Sequence, residues 1–300
     1  MNNVIAMEVG VSGHYRLTVH SEARGSRVVA EFDNLITDYG LNRLGTAAVA
    51  SHCQVGTGTA TPNVLDTALV TWVASAPQFS ITGAAQSSSP YFSTAAITYR
   101  FTTGAVVGNM AEVGISNQNT NGNLFSRARI LDGGGNPTTI TVLVDETLDV
   151  EYSFRIYPPT VDVTGAITIS AVSYDYIIRA CRVTTYTDIW SAINFLSGLI
   201  TAYFDFNRAY DGVIAAITAN PSGNADSSTS CAMVAYGNNN LYRDMTQTWS
   251  LSDGNLAGSI KTVTINIASA VNFQCQFTPV LPKDATKVLT LTFRLTWARH

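Results

Sequence analysis

Residues 142–157 read Val142-Leu-Val-Asp-Glu-Thr-Leu-Asp-Val-Glu-Tyr-Ser-Phe-Arg-Ile-Tyr157, and their second half alternates apolar and polar side chains before closing on Phe-Arg-Ile. Residues 280–297 repeat this ending and close on Thr-Phe-Arg-Leu-Thr-Trp. Residues 108–115 and 258–265 form a weaker matching pair that precedes the first pair in the same order. A period of two is typical of β-strands, and self-similarity indicates repeated units. We therefore predict two tandem β units of similar build.

A double proline, Pro158-Pro159, follows the first of these endings. Proline cannot donate a hydrogen bond to a sheet ladder, so the pair marks a boundary. At the start of the chain, residues 9–32 alternate in the same way and are broken near Gly25, which predicts a hairpin. The expected fold is mostly β, with two tandem antiparallel β-sandwich-like domains, residues 1–158 and residues 159–300, and one or two short helices.

The helices are expected in two segments. Residues 34–45 have apolar side chains near helical spacing and end on glycine, which suits a short helix or turn. Residues 188–217 are the main helix candidate, an insertion in the second domain, because apolar residues recur every three to four positions and Asp188 can cap the start. Gly198 and the aromatic run within residues 203–206 keep a strand interpretation open for this segment.

The chain carries little charge. Charged residues make up 13% of it, against about 25% in typical globular proteins. The net charge is −4 and the basic residues are scattered, so we expect no binding of nucleic acid. Arg127 and Arg129 lie two residues apart on one face of a predicted strand, where we expect a solvated face or a salt bridge between subunits. The apolar segment 189–204 has about 16 residues, fewer than the about 20 that a membrane span needs, so we expect it inside the protein.

The cysteines, Cys53, Cys181, Cys231 and Cys275, are far apart and form no CxxC pair. This spacing predicts neither a disulfide framework nor a zinc site, and we expect four buried thiols in a protein made in a reducing cytoplasm. The amino terminus lacks a basic region followed by an apolar core, so we expect no cleaved export signal.

Three short motifs could bind a ligand. The glycines of Val55-Gly-Thr-Gly-Thr59 resemble a phosphate cradle but lack the Lys and the helix that such a cradle needs, so they indicate a strand turning into a loop. His52-Cys53 could be half of a metal site but has no partners nearby in sequence. Asp132-Gly-Gly-Gly-Asn136 could offer oxygen ligands to calcium, although a tight turn is the simpler interpretation. We expect no metal and no cofactor.

Catalytic motifs are equally weak. The chain has four histidines, and a Ser-His-Asp constellation stays open because its members can be far apart in sequence. Glycosidase chemistry needs two carboxylates across a cleft. The carboxylates that lie closest together in sequence are Asp145, Glu146, Asp149 and Glu151. They open a predicted strand, where acidic side chains mark the solvent edge, so we expect no catalytic residues and no enzyme.

Several phrases in the first half resemble virion proteins of tailed bacteriophages, especially small β-structured tail or fibre-associated proteins. The phrases are residues 34–41, 55–62, 66–69, 112–115, 124–129 and 149–158. The resemblance implies a structural component of the virion, assembled in the host bacterial cytoplasm and repeated symmetrically in the tail, baseplate, fibre base or neck. Its implied partners are copies of itself and other virion proteins. The second half of the chain departs from this pattern.

Two other functions stay open. The polar loops at residues 83–90, 117–123 and 220–230 suit a module that binds a glycan or receptor on the host surface, because Ser and Asn side chains offer adaptable hydrogen bonds. A hydrolase acting on cell-wall or capsule polymers would use the four carboxylates named above. Aromatic residues, 10% of the chain, suit protein interfaces and sugar stacking equally.

Overall fold

The computed structural model describes residues 4–186, 189–199, 207–228, 230–237 and 239–300, and the fold is mostly β, as predicted. The strands are β1 (Val4–Ser21), β2 (Gly25–Asp33), β3 (Leu35–Ile36), β4 (His52–Gly56), β5 (Trp72–Ala85), β6 (Ser93–Phe101), β7 (Gly108–Met110), β8 (Glu112–Ser116), β9 (Leu124–Arg129), β10 (Ile140–Val142), β11 (Thr147–Tyr157), β12 (Val163–Ile169), β13 (Val172–Ala180), β14 (Arg208–Tyr210), β15 (Ala225–Ser227), β16 (Ser230–Met233), β17 (Tyr242–Trp249), β18 (Ile260–Ile267), β19 (Val271–Leu281) and β20 (Leu289–Arg299). The helices in the same part of the chain are α1 (Asp38–Leu44) and α2 (Ala192–Leu196).

A twelve-stranded sheet contains strands from both halves of the chain. Its order is β16-β17-β20-β1-β11-β6-β5-β4-β8-β9-β3, and β2 pairs with β1 beside this path. The two repeated endings, β11 and β20, both pair with β1: β11 antiparallel, with Tyr15 opposite Tyr152, and β20 parallel, with Val9 opposite Trp297. One sheet thus runs across the predicted boundary at Pro158-Pro159. The two tandem sandwiches are not confirmed, and the division into residues 1–158 and 159–300 stays a prediction.

The large sheet curls over at β5. Residues 72–77 of β5 pair with β4, residues 78–85 pair with β6, and the register shifts between Gln78 and Ser80. Irregularities of this kind bend strands and increase their twist. The curl brings β9 over β1 and β11, so that Phe125 packs against Phe154 with ring centroids 5.8 Å apart. The core of the first half lies between these two parts of one sheet.

A six-stranded sheet, in the order β12-β13-β19-β18-β14-β15, forms a further layer, and β7 pairs with β10 separately. Gln247 of β17 donates to the carbonyl oxygen of Thr264 on β18 at 3.3 Å, which joins the two large sheets. Phe195 of α2 lies 6.1 Å from Phe154 and 6.2 Å from Trp297, measured between ring centroids. The hydrophobic core is therefore continuous across both halves of the chain.

The first helix prediction is confirmed by α1. Thr37 caps this helix, and its Oγ1 accepts from the Gly40 N–H at 2.9 Å. Gly40 is required here because a Cβ would lie 2.2 Å from the Phe125 carbonyl oxygen of β9. This close approach places α1 directly against the curled part of the sheet.

The second helix prediction is wrong in extent. Helix α2 has five residues, is capped by Ser191 and is followed by Gly198 at φ 93, and residues 208–210 form β14. A left-handed φ favours glycine and is incompatible with a continuing helix. The proposed Asp188 cap and residues 200–206 lie outside the described residues. In the described part of segment 189–204, Trp190, Phe195 and other apolar side chains are buried, as expected. Neither helix in the described ranges is long and apolar enough to cross a membrane.

Candidate functional site

Strand β5 is exposed along most of its length. Of its fourteen residues, Ala76 is the one that is buried, whereas most strands of the large sheet bury every second residue. Exposed large apolar side chains are concentrated in β5 and the loop before it. This apolar ribbon consists of Leu65 (73% exposed), Val70, Trp72 (40%), Val73 and Phe79 (60%).

The apolar ribbon lies in a part of the chain without charge. From Thr67 to Tyr99 there is no charged residue. Exposed strands are normally protected against association by charged side chains, and exposed apolar patches mark interaction surfaces. The first half of β5 has a proline, Pro77, but no charge that would repel a neighbouring protein. The ribbon therefore has the properties of a protein interface.

A buried carboxylate, Glu112 of β8, fixes the loop that leads into the ribbon. Its Oε1 accepts from the Thr71 N–H at 2.8 Å and from the Gly58 N–H at 3.1 Å, and its Oε2 accepts from the Val70 N–H at 3.2 Å. A Cβ on Gly58 would lie 2.3 Å from Glu112 Oε1. The glycines of the 55–59 motif thus allow close approach to a carboxylate of the protein itself.

Arg127 of β9 completes this arrangement, which we call the clamp. Its Nη2 and Nε donate to Glu112 Oε2 at 2.8 and 3.0 Å, its Nη1 donates to Asp66 at 2.6 Å, and its Nη2 also reaches the Ala60 carbonyl oxygen. The side chain is 1% exposed. The prediction of a solvated face or a subunit salt bridge is therefore wrong for Arg127, because its partners lie in a loop far away in sequence.

The polar loop 117–123 leans on the ribbon. The side chain of Asn121 accepts from the Leu69 N–H at 2.9 Å and donates to the Leu69 carbonyl oxygen at 3.1 Å, and Ser75 donates to the Asn119 carbonyl oxygen at 2.6 Å. Of the other two candidate glycan loops, residues 83–90 begin at the far end of β5 and residues 220–230 contain β15 of the six-stranded sheet.

The four candidate carboxylates do not converge on a cleft as a free pair. Asp145 accepts from Arg24 at 2.9 Å, and Glu146 accepts from Arg27 at 2.6 Å and from Arg24 at 3.2 Å. The hydrogen bond from Arg27 and that from the Leu143 N–H lower the pKa of Glu146 to about 2. Paired in this way, Glu146 is ionised and committed to the turn before β11.

The pH dependence of stability tests this pairing. The pKa of Glu146 is lower in the folded protein than its ordinary value of 4.5, so its stabilising effect is complete above about pH 4.5 and is lost as the pH falls toward 2. We expect Glu146→Gln to unfold at lower urea than wild type at pH 7, with the gap narrowing between pH 4.5 and pH 2.5. A gap that is constant across this range would contradict the assignment.

Asp149 belongs to an ion-pair network on the outer face of the sheet. Arg100 donates to both of its oxygens, at 2.7 and 2.6 Å, and His20 Nε2 lies 3.0 Å from Oδ2. His20 Nδ1 lies 2.6 Å from Ser26 Oγ. Ser26 and His20 are cross-strand neighbours of the β1–β2 hairpin, so their contact follows from strand pairing. Because Asp149 is already paired with Arg100, the arrangement orders the sheet surface. Glu151 lies two residues further along β11 on the same face.

The candidate metal residues separate or find other partners. His52 and Cys53 are adjacent in β4 and point to opposite faces, and Cys53 is fully buried. Asp132 accepts from the N–H groups of Gly134 and Asn136, both at 2.9 Å, in the predicted tight turn. Within the described ranges, no three His, Cys, Asp or Glu side chains are grouped as metal ligands. All four cysteines are free and buried, as predicted, and burial raises the pKa of Cys181 to about 12.

Sequence reasoning missed the apolar ribbon and the clamp. The absence of charge from Thr67 to Tyr99 was a usable signal for the ribbon. Glu112 lies between apolar residues in an otherwise apolar strand, which indicates a carboxylate with a buried partner. The partner itself could not be identified from local sequence. Most of the phrases that carry the resemblance, including residues 55–62, 66–69, 112–115 and 124–129, meet at this clamp. No protein-family model matches the chain, and neither a curated protein nor a solved structure matches it.

Proposed function

We propose that this protein is a structural component of a tailed-bacteriophage virion, and that the apolar ribbon is covered by a neighbouring copy or by another virion protein. The observation that carries the proposal is the exposed, uncharged strand β5 with Trp72 and Phe79 on its surface. Aromatic side chains with few competing charges are typical of the centre of protein interfaces.

The clamp supports this role because it makes the ribbon rigid before any partner arrives. Replacing a buried ion pair by apolar residues often leaves stability unchanged or higher, so such a pair is best explained by the conformation that it fixes. Here the fixed segment is the loop from Gly58 to Thr71. A preorganised surface loses little conformational entropy on binding.

The remaining parts of the proposal follow from the resemblance. The protein assembles symmetrically in the tail, baseplate, fibre base or neck, after synthesis in the host bacterial cytoplasm, and has no enzymatic activity and no nucleic-acid partner. The pairing of Asp145, Glu146 and Asp149 with arginines is consistent with a role that is not catalytic.

Light scattering of the purified protein tests the assembly. We expect a discrete oligomer at micromolar concentrations, because an interface centred on a rigid apolar surface is stable there. A strict monomer at every concentration, together with failure to enter particles, would contradict the proposal.

A second candidate function is binding to a host surface glycan. It is favoured by the loop 117–123, whose Asn residues border the ribbon beside the exposed Trp72. A glycan array compares the two candidates: binding that is lost on Trp72→Ala, by a protein that stays monomeric, would favour attachment over assembly.

A further inference from the structure

A concave site separate from the apolar ribbon lies at the edge of β9. It has a volume of about 310 Å³ and is lined by Asp33, Leu35, Pro62, Arg129, Leu131 and Pro137, among others. All of these residues belong to the described part of the chain. The volume is at the lower end of the about 300–1,000 Å³ of small-molecule sites, which suits one ring-sized unit.

The cavity exists because a neighbouring strand is short. β3 pairs with β9 through two residues, Leu35 opposite Arg127 and Ile36 opposite Ser126. Beyond Arg127 this edge of β9 has no strand partner among the described residues, and the turn closed by the bridge between Leu131 and Pro137 forms the opposite wall. The result is a gap in the sheet edge with apolar walls.

Two charged side chains of opposite sign border the gap. Arg129 is half-buried, and its guanidinium makes no hydrogen bond or ion pair with the described residues. Asp33 is 88% exposed, and one of its oxygens, Oδ1, lies 2.8 Å from His14 Nδ1. The other oxygen is open to a ligand. The site therefore offers several N–H donors, a carboxylate acceptor and apolar walls.

This combination selects a class of ligand. A purely apolar molecule would remove water from Arg129 and Asp33 without replacing their hydrogen bonds, which is costly. A small anion would pair with Arg129 but would be repelled by Asp33. A sugar ring has hydroxyls that accept from the guanidinium and donate to the carboxylate, and its C–H faces pack against Leu131 and the two prolines.

We propose that this cavity binds a single saccharide unit, for example one unit of a glycan on the host surface. The assignment goes beyond the structural role and does not depend on the apolar ribbon. Its failure would leave the assembly proposal intact, and the reverse also holds.

Saturation-transfer NMR on the full chain tests the site with glucose, galactose, mannose, rhamnose and N-acetylglucosamine as probes. We expect millimolar binding of at least one sugar, and about tenfold weaker binding for Asp33→Asn and for Arg129→Gln, because each loses a hydrogen bond to a charged group. Glu31→Gln is the matched control: Glu31 lies on the same strand, 3.2 Å from the other His14 nitrogen, and does not line the cavity.

Two results would overturn the assignment. One is the absence of saturation transfer for every sugar in the panel. The other is binding that is equally strong in wild type and in both cavity variants, with the thermal unfolding of the variants unchanged. Weakening in Glu31→Gln as large as in Asp33→Asn would also count against it, because the effect would then arise through His14.

Discussion

Replacing Arg127 with methionine is expected to lower the free energy of unfolding by about 3–5 kcal/mol, the usual cost of removing one partner of a buried ion pair. Glu112 would keep its backbone donors from Gly58, Val70 and Thr71 but would lose its cation in a water-excluded site. Methionine is close to arginine in length, so the loss of charge dominates over the loss of packing. Urea unfolding followed by tryptophan fluorescence measures the change.

Two further variants make this result specific. Arg24→Met removes an arginine whose pairing with Asp145 is exposed, so we expect little change. Adding Glu112→Leu to Arg127→Met removes both charges but leaves the N–H groups of the loop from Gly58 to Thr71 without an acceptor. Stability should return in part, while hydrogen exchange in that loop stays fast. Stability of Arg127→Met within about 1 kcal/mol of wild type would contradict the clamp as described.

The second large effect concerns association. The double substitution Trp72→Asp and Phe79→Asp is expected to raise the dissociation constant of the oligomer by about a hundredfold or more, because truncating one aromatic hot spot already costs about 2 kcal/mol or more. Both side chains are exposed in the single chain, so its folding should be preserved. Sedimentation velocity measures the shift toward monomer.

The matched control for this experiment is Val144→Asp. Val144 is as exposed as the ribbon residues but lies outside the ribbon, in the turn before β11. We expect it to associate as wild type does. Equal dissociation of both variants would indicate a general effect of added charge, and an intact oligomer in the double variant would show that the ribbon is not the interface.

Local pattern was sufficient for the elements that are close in sequence. The β1–β2 hairpin, helix α1 after Thr37, the Asn-rich turn between β8 and β9 and the turn at Asp132 follow from alternation and turn chemistry within a few residues. The buried cysteines also follow from composition and spacing.

Pairing between distant strands could not be predicted in the same way. The two repeated endings suggested separate units, but both flank β1, and a parallel pairing of β1 with β20 has no local signal. The clamp is similar, since Arg127 and Asp66 are far apart in sequence and meet because the sheet curls at β5. The apolar spacing of residues 188–217 is helical in period, yet Gly198 ends the helix early.

The most direct test is electron microscopy of intact particles that contain this chain, at a resolution that traces β5. The account predicts that Trp72 and Phe79 are buried against a neighbouring subunit, with the loop from Gly58 to Thr71 in the conformation held by Glu112 and Arg127. Density in which this face of the protein is open to solvent, or particles that lack the chain altogether, would contradict it.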